Sequence, residues 1–463
     1  MQFTILALPF IIAVVAVLLQ ASGLLTKVRF SRFLAVIFPV LTLTVEAVLI
    51  WQPAANSEDG AFVFSPLARI FLTILFVFTG VALMAAYATG FLQSGRFSPA
   101  TLAVCGTLIA ALYITNTFLV TLFFVLAGFF SIVAVVDVDR ENEERFVRAV
   151  KAGVRYLVAT VLFGLALFIA LIFLERLRLD PQLTGLIKVV VALAVVGFAM
   201  RLAIFPFNLW LPEVVEEAPG LTNFVVLGLI NVAAVAFLVD FLQKNPTLLF
   251  DNYAVAQPVM VLGLAGAVFS GLMALGQNGF GKMLAYTVSG DFGLILFGLA
   301  SPHRTGLNGA LYEAANLALM QLLIFTCLSV VYYCTGGIAP GGLTGLGRRT
   351  PVAAIGLLVG FMGMVGIPFL SGFAGKYLIL QSAAQEGLSW VLAAGFALFL
   401  FVAAYLRYFH RLFMGNDVPG LKTLPEPPAA IALILLLVLL VIALGLWPAP
   451  ALSWFDSALR TIS

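Results

Sequence analysis

Charge is scarce in this sequence. Only 10% of its 463 residues are Asp, Glu, Lys or Arg, where soluble domains carry about 25%. With 63% hydrophobic residues and a mean hydropathy of +1.14, a soluble globular fold is excluded and an all-α integral membrane protein is indicated. Basic clusters interleaved with aromatics are missing and the net charge is only +3, which argues against nucleic acid as a partner. Histidine occurs twice, at His303 and His410, and cysteine three times, at Cys105, Cys327 and Cys334. Neither set has a metal-ligand spacing or a disulfide framework, so the cysteines read as small core residues and the histidines as interfacial ones. No Gly-rich phosphate loop lies between a strand and a helix, and the connections are too short for a nucleotide-binding domain. No cofactor, metal or redox centre is expected in the chain itself, and any electron transfer belongs to partners.

Long apolar runs take up most of the rest. At about 20 residues per span, fourteen spans are predicted, at roughly 4–24, 33–51, 67–92, 98–115, 117–136, 149–175, 183–210, 221–242, 255–276, 282–300, 307–333, 351–385, 388–414 and 428–446. The first run lacks a basic n-region and a cleavage site and reads as a span, not a signal peptide. Only Ile114 to Thr117 separates the fourth from the fifth. Loops after odd-numbered spans hold fourteen Lys and Arg, among them Arg96, Arg348 and Lys422, and the other side holds six. The positive-inside rule therefore puts both termini on the non-cytoplasmic side of the inner (plasma) membrane. The charged stretch Asp137 to Lys151 reads as a solvated loop or as a docking edge for a peripheral partner. Glu213, Glu216 and Glu217, on the cytoplasmic loop after the broken seventh helix, read as a solvated loop or as groups that attract cations or dock a neighbour, and the five tryptophans fall at span ends as an interfacial belt.

Within the spans, ionisable residues are few: Glu46, Arg155, Lys188, Arg201, Asp240, Asp291, Glu313 and Lys376. Glu46, Arg155, Lys188, Asp240 and Glu313 lie near predicted ends and are expected to snorkel. Arg201, Asp291 and Lys376 lie deeper, where a charge is a functional-site hypothesis by default. Two of the three adjoin interrupted helices. Gly366, Pro368, Gly372 and Gly375 break the apolar run just before Lys376, and Pro206 breaks the run after Arg201. Proline removes a backbone donor and clashes with the preceding turn, and broken backbone at membrane depth is tolerated only where protein or a water-filled cavity shelters it. A pair of such segments, one in each half, is a sequence pointer to an inverted repeat with a midplane site.

Three stretches carry a resemblance: FPFNLWLPEVVEEAP from Phe205, QNGFGKMLAYTVSGDFG from Gln277 and GIPFLSGFAGKYLIL from Gly366. They resemble signature segments of the antiporter-like membrane subunits shared by respiratory complex I (NADH:quinone oxidoreductase), Mrp cation/proton antiporters and membrane-bound hydrogenases. The resemblance runs from about the fourth span to the thirteenth. It implies two inverted five-helix repeats, spans 4–8 (about 98–242) and 9–13 (about 255–414), flanked by spans 1–3 and 14 in a single membrane domain, with the seventh and twelfth helices broken. It also implies a subunit that translocates protons, with lipid and the other membrane subunits of a complex I, Mrp or hydrogenase-like complex as partners.

The family's line of ionisable residues carries over unevenly. Its glutamate in the fifth span falls on Ala127, the lysine of the seventh on Arg201, that of the eighth on Asn231, and the lysine or histidine of the eleventh on Gln321. Asp291 stands where relatives often have histidine, and only Lys376 matches. Arginine cannot release its proton in a protein, and Asn231 and Gln321 hold water but no charge. Proton conduction would then rest on Lys376, with Asp291 as compensating carboxylate and waters at Gln321 and Asn231. The alternative is a structural or assembly subunit that keeps the fold without conducting. An independent secondary transporter is a third reading.

Overall fold

The computed structural model describes residues 65–90, 96–138, 143–180, 182–183, 185–249, 252–336, 345–414 and 424–460. The first two predicted spans, with Glu46 and Trp51, lie outside the described residues. Among the described residues the chain is helical throughout. In order the helices are α1 (Pro66–Ala88), α2 (Phe97–Tyr113), α3 (Thr117–Val135), α4 (Glu143–Leu179), α5 (Gly185–Arg201), α6 (Leu211–Glu217), α7 (Gly220–Lys244), α8 (Tyr253–Gly276), α9 (Phe280–Ala300), α10 (Arg304–Cys334), α11 (Pro351–Val365), α12 (Gly372–Glu386), α13 (Leu388–Phe413), α14 (Pro428–Leu446) and α15 (Ala449–Arg460). Nine of these are long and apolar enough to cross a membrane.

Local chemistry sets the starts. Ser65 accepts from the Ala68 N–H at 3.0 Å with Pro66 at the first helical position. Asn116 accepts from Phe118 and Leu119, which divides α2 from α3 at the shortest of the predicted interruptions. Two helices are capped from a distance. Glu426 accepts from the Val352 and Ala353 N–H groups at the start of α11, and Glu216 accepts from Lys282 N at the start of α9, beside Gly279 and Gly281.

Three helices form the centre. In α7, α9 and α10, 94% of the most apolar window is buried, against 39% in α4, 33% in α13 and 28% in α14, so the latter make the lipid- or partner-facing rim. Gly263 on α8 faces Gly293 on α9, and a Cβ at either would lie within 2.7 Å of the other's carbonyl, so the two helices meet at backbone distance. Within α7, a π-helical turn, Val225–Leu229, precedes Asn231. Such single-turn insertions mark functional sites more often than ordinary helix does.

Some expectations need correction. Nine of the fifteen residues from Asp137 to Lys151, a stretch read as a loop, are helix, because α4 starts at Glu143, where Glu143 and Glu144 complement the positive end of the helix. Nor are the three glutamates after the first break a solvated loop: they lie on α6, where Glu217 pairs with Arg148 at 2.8 Å and Glu213 pairs with Arg155. Trp210 is buried, not interfacial, and its indole N–H donates at 3.0 Å to the Met200 carbonyl, which also accepts from the Ala203 N–H at the end of α5. Trp447 and Trp454 are exposed, as a belt requires, and the three cysteines are buried.

Candidate functional site

Both helix interruptions are present. α5 ends at Arg201, and irregular backbone with a cis Phe205–Pro206 peptide and Ala203 at φ 53° leads to α6. α11 ends at Gly366, whose φ of 85° closes the helix in the left-handed conformation, and Pro368 and Phe369 lie in the gap before α12. The glycines there allow close approach. A Cβ on Gly372 would collide with the Gly363 carbonyl, one on Gly366 would lie 2.8 Å from the Lys376 Cδ, and one on Gly375 would lie 2.7 Å from Glu313 Oε2.

This close approach creates a buried three-charge cluster. Lys376 Nζ donates to Asp291 Oδ1 on α9 at 2.7 Å and to Glu313 Oε1 on α10 at 2.6 Å, and the three side chains are 3%, 1% and 0% exposed. Asn316, one turn beyond Glu313, donates to its carboxylate at 3.4 Å and accepts from the Ser371 hydroxyl in the second break at 2.6 Å. The second Asp291 oxygen is buried without a hydrogen-bond partner. With all three groups ionised the cluster carries one surplus negative charge. In a low-dielectric interior that surplus calls for a proton or another cation.

Glu313 is the residue that sequence reasoning misplaces. Counted from a span starting near 307 it lies close to an end, but α10 starts at Arg304 and is buried along nearly its whole length, so Glu313 points into the bundle. The spacing of Glu313 and Asn316, two polar groups three residues apart on one helical face, is the signal that could have found it. Arg155, paired with Glu213, and Asp240, 2.6 Å from Lys244, do lie at the periphery, as does the exposed Lys188.

The second buried cation is differently surrounded. Arg201, 1% exposed, donates through Nη1 to the Tyr156 hydroxyl at 3.1 Å and through Nη2 to Asn231 Oδ1 at 3.2 Å, with its Cζ 5.5 Å from the Tyr156 ring centroid. Tyr156 in turn accepts from Ser131 at 3.1 Å. No carboxylate among the described residues pairs with Arg201, and its Nε, Asn231 Nδ2 and both polar atoms of Gln321 are buried without partners. Ala127, expected from the resemblance to stand in for a glutamate, is fully buried. Phe198, one turn before Arg201, packs edge-on against Phe163 and Phe237, and Phe237 stacks on Phe124. No sequence pattern marks Tyr156.

His303 Nε2 lies 2.9 Å from Glu386 and His410 is exposed. No group of three or more potential metal-ligating side chains occurs among the described residues.

Comparison with known proteins gives a consistent picture. Residues 116–401 match the family described as "NADH:quinone oxidoreductase/Mrp antiporter, TM". "NADH-quinone oxidoreductase subunit N 2" of Opitutus terrae is 28% identical over 318 residues, covering 67% of this chain. The chain spans 64% of that relative's length, just under two thirds. The protein of the same name from Acidobacterium capsulatum is 27% identical over 478 residues, 96% of this chain and 95% of its own. Among solved structures, a chain of the Mrp complex from Dietzia sp. DQ12-45-1b superposes with a TM-score of 0.83 at 18% identity, covering 98% of this chain and 97% of that one. At that identity the likeness speaks to the fold.

Proposed function

The chain belongs to the NADH:quinone oxidoreductase/Mrp antiporter membrane-subunit family, and on that premise we propose that it translocates protons as one membrane subunit of a complex I-type or related redox-driven or antiport complex. The observation that carries this reading is the buried Lys376 ammonium held between Asp291 and Glu313 beside a broken helix. An opposite charge within about 4–6 Å favours a group's charged form. The positions of the two carboxylates thus govern how firmly Lys376 keeps its proton. When the carboxylates draw away together, the buried ammonium loses the charges that offset its desolvation and the Nζ–H proton passes to water. When they return, a proton is taken up again. Lys376 is the titrating residue, Asp291 and Glu313 set its affinity, and Asn231 Nδ2 and both polar atoms of Gln321, buried without protein partners, hold water.

The same reading includes fourteen spans, two inverted five-helix repeats (98–242 and 255–414) around Pro206 and Pro368, and both termini on the non-cytoplasmic side. The fit of the fold to Mrp and complex I chains along its whole length supports it. A second reading, a structural subunit that does not conduct, is favoured by one observation: Arg201 cannot titrate and has no carboxylate partner among the described residues.

The test is proton uptake into proteoliposomes carrying the chain with its native partner subunits, driven by an imposed potassium diffusion potential. Lys376→Ala is expected to abolish uptake by an assembled complex. Uptake equal to wild type would remove Lys376 from the mechanism and leave the structural reading standing.

A further inference from the structure

Asp291 shares its helix with a hydroxyl that reaches the opposite half of the molecule. Ser289, fully buried on α9, donates to the Ala203 carbonyl in the first helix break at 2.6 Å, accepts from Asn208 Nδ2 of the same break at 3.0 Å, and lies 3.0 Å from the Ser270 hydroxyl of α8. A hydroxyl has one donor and two acceptor sites. Because its proton is spent on Ala203, Ser270 must donate, and the capacity of Ser289 is then filled. The Ala203 carbonyl needs such a partner: the break ends the helix ladder, and a buried carbonyl left unpaired is costly.

Successive residues of an α-helix turn by about 100°, so positions two apart face nearly opposite ways. Ser289 therefore meets the first break while Asp291, on the far side of the same rod, meets Lys376. The attachment is repeated at the start of α9, where Glu216 of α6 accepts from Lys282 N at 3.1 Å. Glu313, in contrast, is tied through Asn316 to Ser371 in the second break. The two carboxylates that hold Lys376 are thus each tied to a different break.

We propose that Ser289 is a positioning residue that passes displacement of the first helix break to Asp291, so that the Lys376 cluster responds to both halves of the subunit. This rests on the reading of Lys376 as the proton carrier. The geometry is sensitive: a shift of α9 by about 1 Å toward the first break takes the 2.7 Å contact of Asp291 with Lys376 past hydrogen-bonding distance.

The experiment uses the reconstituted complex, with proton uptake and the isotope-edited infrared band of the Asp291 carboxylate, assigned by its loss in Asp291→Asn. Ser289→Ala is expected to slow uptake at least about fivefold and to shift that band. Asn208→Ala, which leaves α9 unaltered, is expected to shift the band in the same direction and serves if Ser289→Ala fails to assemble. Ser382→Ala, which breaks the buried 2.6 Å hydroxyl pair with Ser301 away from both carboxylates, should change neither readout. Wild-type uptake and an unmoved band in both Ser289→Ala and Asn208→Ala, with uptake lost in Lys376→Ala, would overturn the coupling alone. Wild-type uptake in Lys376→Ala would overturn the underlying reading instead.

Discussion

Arg201 and Lys376 are both buried cations beside a broken helix, yet one can exchange its proton and the other cannot. Around Lys376 are two carboxylates, an amide and a hydroxyl, all within one connected set of hydrogen bonds. Around Arg201 are a phenol, an amide and a wall of phenylalanine, with no carboxylate among the described residues. Charge balance is what separates the two sites. A surplus of carboxylate makes a site whose charge depends on small displacements, because each partner offsets a desolvation cost of several kcal/mol. A guanidinium satisfied by neutral groups is a fixed charge that holds geometry. In the proposed function, the first half is then the rigid reference and the second half the titrating element.

The largest effect expected from breaking this contrast is at Lys376. Lys376→Ala leaves Asp291 and Glu313 facing each other without a cation, and removal of one partner from a buried ionic set costs about 3–5 kcal/mol. Uptake should be lost and the complex should unfold at lower temperature, which calorimetry reads directly. Adding Glu313→Gln to that background removes the repulsion and should recover much of the stability without recovering uptake. Next comes Glu313→Gln alone. It leaves Asp291 as the only ionic partner and should slow uptake about tenfold, equivalent to about 1.4 kcal/mol at the barrier. If Glu313 were interfacial, the same change would have almost no effect. Gly375→Ala follows. Its Cβ meets the Glu313 carboxylate at 2.7 Å, so the side chain must give way, and uptake should fall several-fold, about 1 kcal/mol, with assembly retained.

Much of this site is legible in the residues alone. Pro206, Gly366 and Pro368 announce the breaks, since none of them continues a helix at its position, and the depth of Lys376 and Asp291 in apolar runs singles them out. The cluster itself is hidden because Glu313 lies close to a predicted helix end, and a span's end says nothing about which way its faces point. Burial of α10 on nearly all sides is a property of its neighbours, not of its own residues. Tyr156 is hidden for the same reason: an amphipathic phenol in a span ordinarily goes to the interface, and here Arg201 holds it in the core. The glutamates of α6 read as solvated because their partners, Arg148, Arg155 and the start of α9, are distant in sequence.

The smallest effect on transport is expected where the contrast is most exposed to failure. Arg201→Lys keeps a cation next to Tyr156 and Asn231 but replaces a planar fork by a point charge, so the pair of hydrogen bonds at 3.1 and 3.2 Å cannot both be kept in the same geometry. Each charge-assisted bond lost costs about 1.5–3 kcal/mol, and the complex should be measurably less stable to heat. Uptake, however, should stay within about twofold of wild type, because a fixed charge in the reference half takes no part in proton exchange. A lysine there, without a carboxylate, is also free to become neutral. If Arg201→Lys raised uptake several-fold, the guanidinium would have been an electrostatic barrier to protons in the first half. The two halves would then differ in being closed or open, and not in being rigid or titrating.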